Sequence, residues 1–313
     1  MSSQPALWLP ARAKLNLVLR IVGRRADGYH LLETLFHPLA LHDDVVVVRA
    51  DAGITLQVTA EHESLVVSSG ADNLVVRALV RLAEHVGHRG GFAVHLHKRI
   101  PHGGGLGGGS SDAAAALRLG NELLGRPLAE TALAQLAVAL GADVPFFLRG
   151  GSQWGRGIGD ELTPVDVPPR WFVLLVPPFG CPTADVYKTY AALWKSSAPQ
   201  ASVAEITVPD TRDPALRNAF HNDLEPAAER VRPQLADLRG RVVGMGYPGV
   251  RMTGSGSTLF VACDDAVAAQ RCAERLQPLR ADGVRLLCTA SAGPGLDAPR
   301  PPDWPGESRC ANS

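Results

Sequence analysis

The residues best suited to chemistry lie at 103–112, where Gly103-Gly104-Gly105-Leu106-Gly107-Gly108-Gly109 runs into Ser110-Ser111-Asp112. With a single side chain among seven positions, the backbone can approach a ligand closely. Glycine's access to positive φ lets successive N–H groups converge on one anion. Alanines and leucines from Ala113 to Leu124, closed by Gly125, read as a helix. Its N-terminus contributes about half a positive charge. Ser110 and Ser111 are good N-caps whose hydroxyls can reach phosphate oxygens or a metal-bound water. Together these make an anion cradle that needs no net basic charge. A flexible linker is the competing reading, and it does not suit a run wedged between a strand and a capped helix.

The cradle is of no common type. A Walker A loop needs a lysine after its last glycine, and Ser110 stands there. Gly103, Gly105 and Gly108 match G-x-G-x-x-G, but no strand ending in an acid follows about 20 residues on, as a dinucleotide site requires. The H-R-D and D-F-G segments of protein kinases are absent.

Three further segments could complete a site: Ala13-Lys14-Leu15-Asn16-Leu17 with Asp27-Gly28-Tyr29-His30; Leu140-Gly141-Ala142-Asp143-Val144-Pro145-Phe146-Phe147; and Arg251-Met252-Thr253-Gly254-Ser255-Gly256-Ser257-Thr258-Leu259-Phe260. Taken singly, Asp143 reads as a turn or cap residue, Lys14 as a solvated strand-end charge, His30 as a surface histidine and Tyr187 as packing. Only their joint spacing points elsewhere.

The elements that must hold these groups are legible in outline. Leu15 to Val22 reads as a strand closed by Gly23, and Asp44–Ala50 with Ile54–Thr59 as a hairpin through Asp51-Ala52-Gly53. Leu74, Val75, Ala78, Leu79, Leu82 and Val86 mark one face of a helix over Asn73–Val86, ended by Gly87. Phe92–Leu96 alternates like a strand, and Thr131–Leu140 reads as a helix ended by Gly141. Pro145 argues against regular helix through Ala142–Leu148. Trp171–Val176 is a buried strand, 195–214 a long polar loop, and 241–263 strand, glycine turn, strand. Prolines cluster at Asp166–Pro169, which divides the chain into domains at 1–166 and 167–290. The Pro- and Gly-rich stretch 291–313 reads as a disordered tail.

The 313 residues are 46% apolar and 20% charged, an ordinary globular composition in two domains or one large one. Lys plus Arg equals Asp plus Glu at 31 each, so no global field attracts nucleic acid or a membrane surface. Cys181, Cys263, Cys272, Cys288 and Cys310 show no C-x-x-C pair and suit reduced thiols. No stretch resembles a leader or a membrane span, so a cytoplasmic location is expected. Without heptads or long apolar stripes, a monomer or weak homodimer is expected.

The combination of segments resembles the galactokinase, homoserine kinase, mevalonate kinase and phosphomevalonate kinase superfamily. The glycine run with Ser110-Ser111 and the T-G-S-G-S turn carry that likeness. A-K-L-N paired with R-R-x-D-G-Y-H and L-G-A-D-V-P-F-F is similar to the family of 4-diphosphocytidyl-2-C-methyl-D-erythritol kinases, from about residue 10 to 290. The resemblance implies a two-domain α+β fold with a cleft between the domains. It implies transfer of the ATP γ-phosphate to the 2-hydroxyl of the methylerythritol unit, in the non-mevalonate isoprenoid pathway. Asp143 matches the family's catalytic carboxylate and Lys14 its partner lysine. Asn16, Tyr29, His30, Thr183 and Tyr187 match the substrate side, with the cytidyl diphosphate as small-molecule partner. Residues Pro101, His102, Gly103–Gly109 and Ser110–Ser111 match the ATP loop, Asn73 and Lys98 positions near the adenine, and Gly254-Ser255-Gly256 a turn at the substrate's phosphate end. Mg²⁺ is expected with ATP, held by the phosphates with help from Ser111, and no dedicated metal cage is seen. The chain departs from the family pattern at Arg12, at His102 and through Ser152–Gly157. The alternatives are a kinase of the same superfamily with another acceptor, and a nucleotide sensor without turnover.

Overall fold

In the computed structural model, residues 5–25, 28–62, 65, 67–196 and 220–302 are described. The first half of the chain lays down β1 (Ala6–Arg24), β2 (His30–Ala50), β3 (Ile54–Ala60), α1 (Leu74–Val86), β4 (Gly91–Lys98), α2 (Gly108–Leu123), α3 (Glu130–Val138), α4 (Val144–Arg149), β5 (Gln153–Arg156) and β6 (Glu161–Pro164). The second half adds β7 (Trp171–Val176), α5 (Thr183–Ser196), β8 (His221–Asn222), α6 (Glu225–Val231), α7 (Pro233–Gly244), β9 (Arg251–Met252), β10 (Leu259–Cys263), α8 (Ala266–Leu276) and β11 (Arg285–Ala290).

Two sheets result. A seven-stranded sheet runs β3-β4-β2-β1-β8, with β5 and β6 attached through β2; a four-stranded sheet runs β11-β7-β10-β9. Three apolar clusters hold them. One face of the larger sheet buries Val45, Val47, Phe92 and Leu96 against Leu79 and Leu82 of α1 and Leu117 of α2. The smaller sheet buries Val173, Leu175 and Leu259 against Leu235, Leu238 and Leu276 of the later helices. Between the sheets, Leu15, Leu17, Leu39 and Trp154 meet Phe172, Leu174 and Phe260. Removing such side chains from water stabilises by about 1.5–3 kcal/mol each. This third cluster joins the two halves of the chain.

Several expectations need correction. Asp44–Ala50 and Ile54–Thr59 are not hairpin partners: β4 lies between them, antiparallel to β2 and parallel to β3. The Asp51–Gly53 turn therefore crosses the start of β4. Gly91 makes room for it, because a Cβ there would stand 1.9 Å from the Gly53 carbonyl oxygen. Regular helix does not run through Ala142–Leu148, but Pro145 starts a helix rather than breaking one: it sits in the first turn of α4 (Val144–Arg149), where its missing N–H costs no hydrogen bond. Residues 241–244 finish α7, so strand begins only at Arg251. Residues 291–302 are ordered against β1 and β2: Leu39 bridges Ser291 and Trp8 bridges Arg300. Residues 303–313 and most of the expected 195–214 loop lie outside the described residues.

The line between 166 and 167 falls in a segment without strand or helix between β6 and β7. We propose it as the domain boundary, crossed twice: β8 returns to pair in parallel with β1, and 291–302 returns past β2. Cys181, Cys263 and Cys272 are buried free thiols and Cys288 an exposed one; Cys310 lies outside the described residues.

Candidate active site

The glycine run folds as a loop stitched to two other elements. Leu106 turns into the core between the sheets while its carbonyl accepts from the Lys14 N–H at 2.9 Å. Gly104 accepts from the Thr258 N–H at 3.2 Å. Gly103, Gly105 and Gly107 have φ of 69, 79 and 74°, values open to glycine and strained for other residues. A Cβ on Gly105 would lie 2.3 Å from the Thr253 carbonyl oxygen, and one on Gly104 2.5 Å from the Thr258 hydroxyl. The loop is thus clamped against the T-G-S-G-S turn.

Helix α2 starts within the run, with Gly107 as its N-cap. Ser110 and Ser111 are therefore first-turn residues and not caps, contrary to expectation. The Ser111 N–H is taken by the Gly107 carbonyl at 2.9 Å. The N–H groups of Gly108, Gly109 and Ser110 precede the first intrahelical bond and point off the helix end, as an anion site requires. Ser110 is half-buried and Ser111 is 2% exposed.

Lys14 sits on β1, where the register against β2 shifts between Arg12 and Lys14. Its ammonium is 3% exposed, donates to Asn16 Oδ1 at 2.6 Å and stands 3.4 Å from Asp143 Oδ2. The Asp143 side chain, 34% exposed, faces the opening as the residue before α4. Asn16 is oriented in turn: its Nδ2 donates to Thr34 Oγ1 at 2.7 Å and its N–H to Thr253 Oγ1 at 3.0 Å. Asn222 Nδ2 donates to the carbonyls of Met252 and Gly254, both at 2.8 Å, and fixes the far turn. Thr34, Thr253 and Asn222 were not singled out from sequence. Only Thr253 carried a signal, by lying in a segment already marked.

These elements surround a cleft of about 1090 Å³ lined by Lys14, Asn16, Tyr29, His30, Asp143, Thr183, Tyr187, Gly103, Gly105, Gly107 and Gly254–Gly256. Tyr29 is 63% exposed. The His30 ring lies 5.3 Å from Tyr187 and 6.0 Å from Tyr190, and its Nε2 is buried without a partner. Burial, with help from Arg24, lowers the His30 pKa, so the ring is neutral at pH 7. Burial and the nearby Asp143 charge raise the Tyr187 phenol. Thr183 opens α5 and meets the Ser255 hydroxyl across the cleft at 2.9 Å. Asp27 lies outside the described residues.

Other matched positions are not in this cleft. Asn73 caps α1, accepting from the Val75 N–H at 2.9 Å and donating to the Ser68 carbonyl at 2.6 Å. Pro101 is buried and His102 exposed at the start of the glycine loop. Lys98 is 3% exposed beneath the loop, where its ammonium contacts Asp43 and, at 2.6 Å, Asp112. Asp43 Oδ1 also accepts from the N–H groups of Arg99 and Ile100. This ion triad, unread from sequence, anchors both ends of the loop. Among the described residues, no three His, Cys, Asp or Glu side chains converge to hold a metal ion.

A glycine loop beside a buried lysine and an open carboxylate fits a small-molecule kinase, and the chain matches the models of the GHMP kinases N terminal domain over residues 73–151 and the GHMP kinases C terminal over 207–279. It is 40% identical over 291 residues to a 4-diphosphocytidyl-2-C-methyl-D-erythritol kinase of Xanthomonas axonopodis pv. citri, covering 92% of each chain. It is 42% identical over 267 residues to that of Bordetella parapertussis, covering 84% of this chain and 85% of the other. A crystal structure of 4-(cytidine 5'-diphospho)-2C-methyl-D-erythritol kinase superposes with a TM-score of 0.74 at 37% identity, over 91% of this chain and 99% of that one. A homoserine kinase from Cytophaga hutchinsonii, at 19% identity and a TM-score of 0.68 over 96% of this chain and 98% of that one, shares the fold. The chain belongs to the 4-diphosphocytidyl-2-C-methyl-D-erythritol kinase family.

Proposed function

We propose that this chain transfers the γ-phosphoryl group of ATP to the 2-hydroxyl of 4-diphosphocytidyl-2-C-methyl-D-erythritol, a step of the methylerythritol phosphate route to isoprenoid precursors. The observation that carries this is the 3.4 Å approach of Lys14 to Asp143 in a cleft that the glycine loop also lines. Asp143 accepts the proton of the acceptor hydroxyl as its oxygen bonds to the γ-phosphorus and the bond to the ADP oxygen breaks. Lys14, held by Asn16, stabilises the charge growing on the acceptor oxygen and the moving phosphoryl group. The free N–H groups of Gly108–Ser110 and the end of α2 hold the remaining phosphates. His30, Tyr187 and Tyr29 form the cytosine side: the neutral ring offers one donor and one acceptor, and the phenols flank a flat base.

Mg²⁺ would accompany ATP in this reading, held mainly by the phosphates, whose charge it would neutralise. Ser111, 2% exposed, lines the small cavity it shares with Arg12 and Asp297. We also propose a monomer or weak homodimer working in the cytoplasm. No described helix is long and apolar enough to cross a membrane, and the exposed large apolar side chains are scattered over separate elements.

The test is ADP release by pure protein given ATP, Mg²⁺ and the cytidyl substrate. Substrate-dependent ADP is expected, with Asp143→Asn lowering kcat by about 10³-fold and leaving ATP binding little changed. Turnover on homoserine or a simple sugar, and none on the cytidyl compound, would overturn the assignment.

A further inference from the structure

The segment after β11 does more than end the chain. Ser291 donates its N–H to the Arg170 carbonyl at 2.8 Å and Ala292 to Pro38 at 2.9 Å. Nine residues beyond Ser291, Arg300 exchanges backbone hydrogen bonds with Trp8 at 2.8 and 3.3 Å, and its guanidinium lies 4.5 Å over the Trp8 ring. The segment is thus tied at both ends to the larger sheet.

Its middle touches all three elements that carry the proposed chemistry. Asp297 accepts from Arg12 Nε at 2.5 Å and Arg12 Nη2 at 2.8 Å, a two-pronged pair on β1 two residues before Lys14. The Asp297 carbonyl accepts from Arg118 of α2, the helix that begins in the glycine loop. Leu296 and Pro294 cover Gly150 and Gly151 at the end of α4, the helix that follows Asp143. A Cβ on Gly150 would meet Leu296 Cα at 2.9 Å, so the contact requires glycine. Phe147 lines a small cavity beneath the segment together with Arg12 and Asp297. A Cβ on Gly107 would meet both the Phe147 ring at 2.9 Å and Lys14 Cγ at 3.0 Å. Lys14 and Phe147 thus both crowd Gly107, and Phe147 faces the same small cavity as Arg12 and Asp297.

We propose that residues 291–302 are a positioning strap, clasped by Arg12 and Asp297, that fixes the separation of Lys14 and Asp143 in the cleft. This rests on the reading that those two groups act on the acceptor. Burial works against the Asp297 carboxylate, but the Arg12 hydrogen bonds and charge, together with Arg118 and His42, outweigh it and hold its pKa low, so the clasp is ionised at neutral pH. Loosening it lets β1 shift at its bulge while the cleft keeps its ligand groups. Small misplacements of reacting groups lower turnover steeply.

The experiment uses the full chain and compares Arg12→Ala, Asp297→Ala and the double variant, with rates expressed per nucleotide site titrated with ADP. Each single change is expected to lower kcat by about tenfold, with KM for ATP and for the cytidyl substrate within about twofold of wild type. The double variant is expected to be no slower than the slower single one, since both break one clasp. Wild-type kcat per site in Asp297→Ala, or losses that multiply in the double variant, would overturn the strap. Asp143→Asn run alongside separates the two ideas: if it keeps full turnover, the catalytic pair itself is misread, whatever the strap variants do.

Discussion

Among the described residues, two buried lysines lie beside aspartates, and they are opposites. Lys98 lies under the glycine loop with both of its carboxylates at contact distance and no open side. Lys14 is as deeply buried, yet its carboxylate partner stands 3.4 Å away and faces an open cleft. Burial pushes the Asp112 carboxyl up to about 8 against the opposing pull of Lys98. The three groups pair with one another and are shut away from the cleft. A closed set of charges holds structure, and a loosely paired one with an exposed member is available to a substrate.

The sharpest way to break that contrast is to remove each lysine. Lys14→Ala is expected to lower kcat by about 10³-fold, close to 4 kcal/mol on the barrier, with urea stability changed far less; single-turnover rates and unfolding midpoints measure the two. Lys98→Met is expected to do the reverse. It leaves Asp43 and Asp112 buried without their cation, and stability should fall by about 3 kcal/mol, read from the urea midpoint. If Lys98→Met kept its stability and lost ATP affinity, Lys98 would be a ligand group, as its match to a position near the adenine implied.

The same contrast explains what the sequence disclosed. Chemistry carried within one segment was legible: the glycine run, α1 with its Gly87 stop, and β7 over Trp171–Val176 each announce themselves locally. Interactions closed across distance were not. Asp43 and Asp112 are 55 and 14 residues from Lys98, so nothing local marks Lys98 as already engaged. The β2–β3 pair looked like a hairpin because the strand that separates them comes some 30 residues later. Residues 291–302 looked disordered because their Pro- and Gly-rich composition has no core of its own. They are ordered by arginines on β1 and α2 that only the fold brings near.

Histidines extend the comparison. His37 is closed: Nδ1 meets the Ser152 hydroxyl at 2.8 Å and Nε2 the Ser291 hydroxyl at 2.7 Å, where the strap begins. Burial, aided by Arg170, holds its pKa down to about 4 from the ordinary 6.5. Below pH 6.5 the unfolded chain takes up a proton that the folded one refuses until about pH 4. Stability that is complete above 6.5 is therefore lost as pH falls through that window, by about 2–3 kcal/mol. His37→Gln removes the titration, and its stability should fall less steeply from pH 6.5 to 4 in paired urea titrations. Parallel slopes would show that His37 is not the group responsible.

His30 is the open counterpart, and its effect should be the smallest. Its Nε2 is buried against Tyr187 and Tyr190 without a partner, an arrangement that costs stability unless a ligand completes it. Because burial and Arg24 keep the ring neutral, one nitrogen donates and the other accepts at pH 7, which suits the amide-like edge of a cytosine. His30→Ala should raise KM for the cytidyl substrate by about tenfold while leaving kcat and KM for ATP within about twofold. The apo variant should lose little stability, and could gain some, since the substitution removes an unsatisfied polar atom. An unchanged KM for the cytidyl substrate would mean that the open nitrogen does not read the base, and would shift the weight of recognition to Tyr29 and Tyr187.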